Sequence, residues 1–132
     1  VFQQAEVFTE EGNMSTSAGK AFYDRQLAFL DRQDIDGLIQ NQYHPDAVLV
    51  GFDFVRRGRA ELREHFKNYL GQLGKIRLIS TDKFAEIEDA IFFEASVETD
   101  IGIAEVYDVF TFKDGQAIRH FTGLKSVKPK QS

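Results

Sequence analysis

Few side chains in this chain can do chemistry, and the one that asks for an explanation is Asp108, in "VYDVFTFKDGQAIRHFTGL". It lies in phase with Phe110 and Phe112, on a strand face that reads as buried. Ionised and unpartnered in an apolar interior, a carboxylate costs several kcal/mol, so Asp108 needs a partner, a retained proton or a cavity. The partner the pattern offers is His120, and the turn at "FKDGQ" decides whether they meet. A two-residue type I′ turn at Asp114-Gly115 pairs Lys113 with Gln116, sets Asp108 opposite Phe121 and carries Arg119 to the buried face. A three-residue loop with Gly115 at a G1 bulge pairs Phe112 with Gln116, Phe110 with Ile118 and Asp108 with His120. The second is preferred, because it buries Ile118, Thr122 and Leu124 and leaves Arg119 and Lys125 in water. Asp108 and His120 then face each other with Cβ atoms about 5 Å apart. Such a pair titrates as a unit, and a carboxylate-oriented imidazole can act as acid or base near neutral pH. The plainer reading is a satisfied polar pair in an apolar core.

Gln26 falls on the apolar stripe of the first helix, four residues from both Phe22 and Leu30, as a pocket donor or acceptor or as a buried amide satisfied by backbone. His44, before Pro45, reads as a helix-end histidine, and His65 as a helix-flank residue. No ligand spacing joins the three histidines into a metal site, so none is expected. The run "RRGR" reads as a solvated hairpin end in preference to an anion-binding rim.

The elements that must carry these groups are legible as periods. From Ala18 an apolar stripe of Phe22, Tyr23, Leu27 and Leu30 predicts a helix. "DIDGLIQNQY" predicts a second, short one with Asp34 as N-cap and Ile35, Leu38 and Ile39 on one side, ended by Pro45. "DAVLVGF" predicts a strand and "FVRRG" its short return. "RAELREHFKNYLGQLG" predicts a third helix, with Leu62, Phe66, Tyr69 and Leu73 inward and Gly71 and Gly74 closing it. Four long strands follow to the end, with Ile91, Phe93, Ala95 and Val97 on the buried face of one and Ala104, Val106, Asp108, Phe110 and Phe112 on that of the next. The pattern is α+β. Residues 1–17 read as a flexible N-terminal extension, in which Met14 could be a native initiator, residues 18–127 as the domain, and residues 128–132 as a frayed tail.

One domain of 132 residues with 42% hydrophobic residues and thirteen Phe can fill one substantial core. A net charge of −5 argues against general affinity for nucleic acid or anionic membrane, both of which need a positive field. No cysteine means no disulfide framework and no cysteine-ligated zinc. No apolar run is long enough for a membrane span and the first residues lack a signal-peptide pattern, so the cytoplasm is the default compartment.

The order of elements, "LDRQDIDGLIQNQYHPDAVLV" with its "RGRAELREHF" continuation, and the "YDVFTFKDGQAIRHF" hairpin together resemble the NTF2-like superfamily, in particular its SnoaL-like and ketosteroid-isomerase-like branch, over roughly residues 18 to 125. The resemblance implies a cone-shaped fold, with three N-terminal helices packed on a curved, mainly antiparallel sheet around a largely apolar pocket, and a sheet outer face that serves a homodimer. It matches Asp108 to the carboxylic acid that isomerase members keep protonated as a hydrogen-bond donor, and His120 and Thr122 to pocket-lining positions of the last strand. In such a pocket Tyr43 would stand at the mouth, where packing explains it as well, and Phe93 and Phe110 along the walls. Gln26 stands where isomerases have an oxyanion-hole tyrosine, and Gly51 near where they have the general-base aspartate, with Asp53 two residues on, so steroid isomerase chemistry is not supported. Two functions follow as expectations. One is a pocket for a small, mostly apolar molecule, with isomerase-, cyclase- or dehydratase-type proton transfer by Asp108 and His120 and no cofactor. The other is a non-catalytic module whose mixed outer face, with Phe92, Tyr107, Val109 and Phe121 among charges, mediates dimerisation or partner binding.

Overall fold

The computed structural model describes residues 16–130. Three helices, α1 (Ala18–Asp31), α2 (Ile35–Gln42) and α3 (Gly58–Leu73), pack on a six-stranded mixed sheet of β1 (Tyr43–Val50), β2 (Val55–Arg57), β3 (Arg77–Ile87), β4 (Ala90–Thr99), β5 (Gly102–Lys113) and β6 (Gln116–Pro129). The spatial order is β2-β1-β6-β5-β4-β3, antiparallel throughout except where β1 lies parallel to β6. The curved sheet does not close, and the helices fill its concave side: this is the NTF2-like α+β cone. Most of the expected extension, Met14 included, lies outside the described residues. At the other end β6 continues to Pro129, paired with Gly102, so the ladder takes in the first residues expected to fray.

Local chemistry starts the first two helices where the periods predict. Ser17 caps α1 by accepting from the Lys20 amide at 3.1 Å, and Asp34 caps α2 by accepting from the Gly37 amide at 2.9 Å. Glu86 of β3 ties α1 to the sheet: Ser17 Oγ donates to its Oε1 at 2.6 Å and the Gly19 amide to its Oε2 at 3.0 Å. A carboxylate at a helix N-terminus satisfies orphan amides and meets the positive end of the helix dipole.

The end of α2 departs from expectation. Pro45 does not end it; Tyr43 does, by switching to extended dihedrals, and β1 begins at that residue with Pro45 inside it. Side chains from elsewhere cover the orphan carbonyls of the last turn. Gln116 Nε2 donates to Gln40 O at 3.1 Å, and Arg59 donates to Tyr43 O through Nε at 3.0 Å and Nη2 at 2.8 Å. Arg59 therefore pins the α2–β1 junction to α3 and is not part of a solvated hairpin end.

On β4 and β5 the alternation is as predicted: Ile91, Phe93, Ala95 and Val97, then Ala104, Asp108 and Phe110, are buried. The last hairpin is not. Asp114 and Gly115 both have positive φ, 55° and 78°, which makes a two-residue turn with Lys113 opposite Gln116. The expected three-residue loop is therefore corrected. Two-residue pairing alone would turn Arg119 inward, but Ile118 is inserted as a bulge between the Phe112–Ala117 and Thr111–Arg119 pairs. The bulge restores the phase that burial demands, with Arg119 exposed and His120 buried. Leu124, expected inside, is 58% exposed.

Candidate functional site

With the bulge in place His120 sits opposite Phe110, and Asp108 sits opposite Thr122. The expected direct opposition of Asp108 and His120 does not occur. They meet instead across a diagonal of the ladder, which long side chains can span: His120 Nε2 lies 2.7 Å from Asp108 Oδ1. The imidazole is stacked on Phe110, with ring centroids 3.8 Å apart and planes 22° from parallel. Both side chains are buried, that of His120 to 6% exposure and that of Asp108 to 12%, so the carboxylate is the more reachable of the two.

Tyr43 is not at a pocket mouth. It is fully buried, its hydroxyl 2.8 Å from His120 Nδ1, and it accepts a hydrogen bond from Gln26 Nε2 at 3.1 Å. Burial raises its pKa far above the ordinary phenol value, outweighing the Gln26 hydrogen bond that lowers it, and the Asp108 charge adds to the rise. Gln26 is in turn held by Gln42, whose Nε2 donates to Gln26 Oε1 at 3.2 Å and to the Phe22 carbonyl at 3.0 Å. Arg25 Nε donates to Gln42 Oε1 at 3.2 Å. One continuous polar chain thus runs from Arg25 at the surface of α1 through Gln42, Gln26, Tyr43 and His120 to Asp108.

Gln42 was not singled out from the sequence. It lies seven residues from Ile35 on the stripe of α2, a position where an amide among Leu38 and Ile39 signals a buried polar contact. Of the expected apolar walls, Phe93 and Phe110 pack in the core, stacked on each other with centroids 6.1 Å apart. Thr122 is half-buried beside Asp108.

His65 and Tyr69 of α3 complete the surroundings. His65 is half-buried, stacked on Phe54 with centroids 4.7 Å apart, and burial pushes its pKa down to about 4, helped by the charge of Arg56. Tyr69 is pushed up to about 12 by burial, then by the charge of Asp108. Both line a surface depression of about 530 Å³ with Arg56, Glu61, Glu64, Asn68 and Gln72; Asp108 and His120 do not. His44 is apart from all of this, on β1, accepting from the Asp46 amide. Among the described residues no group of three His, Asp or Glu side chains is placed to hold a metal ion, and no helix is long and apolar enough to cross a membrane.

Residues 21–120 match the SnoaL-like domain family. The chain belongs to that family. Small-molecule binding is its family-level function. No curated protein sequence matches. Among solved structures, this SnoaL-like domain is similar to TerC co-crystallised with polyporic acid, at 20% identity over 83% of this chain and 92% of that one, with a TM-score of 0.69. It is also similar to an NTF2-like protein of unknown function from Burkholderia pseudomallei, at 16% identity over 83% and 92%, with a TM-score of 0.71. A third is a de novo designed protein with a curved β-sheet, at 12% identity over 85% and 88%, with a TM-score of 0.70. At these identities the likeness is one of fold.

Proposed function

We propose that this domain binds a small, mostly apolar molecule on the concave side of its sheet and carries out proton-transfer chemistry on it at Asp108 and His120. The observation that carries this reading is the 2.7 Å contact between a buried imidazole and a carboxylate whose side chain keeps 12% of its surface open. A pair serving only to hold the core would gain by sealing that carboxylate, or by giving way as a whole to apolar side chains. Phe110 under the imidazole and Thr122 across from the carboxylate supply an apolar wall and a polar contact. The crystallisation of TerC, a structural relative, with polyporic acid makes that acid and its analogues the first compounds to try.

The test is a screen of such compounds read by thermal stability, repeated on Asp108→Asn and His120→Ala. Compounds that stabilise the wild type and lose that effect in either variant support the reading. Equal stabilisation of all three proteins, or of none, removes it.

A second reading, compatible with the first, concerns the convex face. Phe92, Val109 and Phe121 are neighbours in one row across β4, β5 and β6, and Phe92 is 50% and Phe121 43% exposed. We infer that this row meets its copy in a homodimer, since exposed aromatic side chains flanking an apolar one on a sheet face are a common feature of subunit contacts.

A further inference from the structure

The polar chain behind His120 has a direction, and chemistry decides it. Arg25 Nε only donates and the Phe22 carbonyl only accepts. Gln42 lies between them with Oε1 towards Arg25 and Nε2 towards Phe22, so its amide cannot be turned round without breaking both contacts. Its second amide proton goes to Gln26 Oε1, which leaves Gln26 Nε2 to donate to the Tyr43 oxygen. The single proton of Tyr43 then has one acceptor among the described residues, His120 Nδ1 at 2.8 Å. With Nδ1 accepting, the ring proton is on Nε2, where it donates to Asp108 Oδ1 at 2.7 Å.

The reverse arrangement fails locally. Were Nδ1 protonated, whether in the other tautomer or in the imidazolium, it would donate to the Tyr43 oxygen, already an acceptor from Gln26. The hydroxyl proton of a fully buried tyrosine would then be stranded.

We propose that Gln42 sets the proton positions of this site: it holds His120 as the neutral Nε2–H tautomer, whose ring proton on Asp108 Oδ1 favours the carboxylate form that can accept a proton. This rests on the proton-transfer reading above and narrows it, from the pair to Asp108 with His120 as its support. Both ring nitrogens are occupied, so His120, Tyr43, Gln26 and Gln42 are positioning residues and Asp108 is the catalytic base. Oδ1 is held by His120, while Oδ2 has no hydrogen-bond partner among the described residues. A proton leaving the bound molecule passes to Oδ2 and its bonding electron pair stays on that molecule. This differs from the protonated, hydrogen-bond-donating role that the resemblance implies for Asp108. The titratable groups facing the pair are Tyr43 on β1, His65 and Tyr69 on α3, and Tyr23 on α1.

The experiment is a long-range ¹H–¹⁵N correlation spectrum of the whole chain labelled at histidine, at neutral pH and without ligand, with His120 assigned by its loss in His120→Asn. The wild type is expected to show a pyridine-like Nδ1 and a pyrrole-like Nε2 for His120. In Gln42→Glu the carboxylate cannot donate, so the Gln26 amide turns towards it, the Tyr43 hydroxyl turns to the Gln26 oxygen, and Nδ1 becomes a pyrrole-like donor. Gln26→Glu gives the same reversal and serves where Gln42→Glu does not fold. A pyrrole-like Nδ1 in the wild type overturns the inference, as does a folded variant of either kind whose Nδ1 stays pyridine-like. The spectrum needs no ligand, so a reversed tautomer and a failed ligand screen are separate results.

Discussion

Replacing Tyr43 with Phe removes one oxygen and nothing else, and the polar chain states what that should cost. The ring contacts, to Phe66 at 5.9 Å and Phe110 at 6.4 Å between centroids, remain possible. Two buried groups lose their partner, Gln26 Nε2 and His120 Nδ1, in side chains belonging to residues only 4% and 5% exposed. A buried polar group left unsatisfied costs about 1–3 kcal/mol, and the variant recovers part of this because it no longer has to bury a hydroxyl. The net expectation is a loss of about 2–3 kcal/mol, or roughly 10 °C in Tm for a domain of this size. Urea titration is the assay, with an unchanged slope showing that the same surface unfolds. Tyr23→Phe is the control: it loses one hydrogen bond, between a buried tyrosine hydroxyl and the exposed Thr81 Oγ1 at 2.6 Å, where water can replace the partner, and should cost below about 1 kcal/mol. If Tyr43→Phe costs no more than Tyr23→Phe, the chain from Gln26 to His120 is not satisfied as described, and the proton accounting built on it falls.

Three further outcomes are expected. His65 has a folded pKa of about 4, below its ordinary 6.5, so between those values the unfolded chain binds more protons and stability falls as pH falls through that window. His65→Phe keeps the aromatic stack and should flatten this pH dependence by on the order of 1 kcal/mol, after allowing for solvent around a half-buried ring; equal slopes for the two proteins would contradict the burial of a neutral imidazole. Glu86→Ala strips the Ser17 hydroxyl and the Gly19 amide of their acceptor and should lower stability by about 1–2 kcal/mol, seen as a shifted urea midpoint; no shift would mean that water caps α1 equally well. Phe121→Lys, on the convex row, should convert a dimer to a monomer in sedimentation equilibrium without loss of fold, and a wild type already monomeric at high concentration would remove the dimer proposal.

Legibility in the sequence followed the range of the interactions. The start of α2 was readable because a cap bonds three residues along the chain, as at Asp34, while that of α1 was read from its apolar period and its Ser17 cap was not foreseen. The inward phase of Asp108 was readable because side chains alternate along a strand whatever lies across from them. The register of the last hairpin was not, since a bulge at Ile118 and a tighter turn cancel in phase and leave His120 inward by either route. The pattern therefore established that Asp108 and His120 share a face, but the diagonal contact between them came from the pairing itself.

The α+β pattern was likewise recoverable from the order and periodicity of the elements, and the family and its cone from their resemblance, with the hairpin motif, to the SnoaL-like branch. What only the tertiary structure decided is the chain of donors behind the histidine. Tyr43 and His120 are 77 residues apart, Gln26 and Tyr43 are 17 apart, and Gln42 meets Gln26 only because α2 packs on α1. Local pattern reports which side of an element is dry; it does not report which buried polar atoms end within hydrogen-bond reach, because that depends on how separate elements dock. Asp108 was marked by its sequence as a group in need of a partner, and the fold determined which atom partners it.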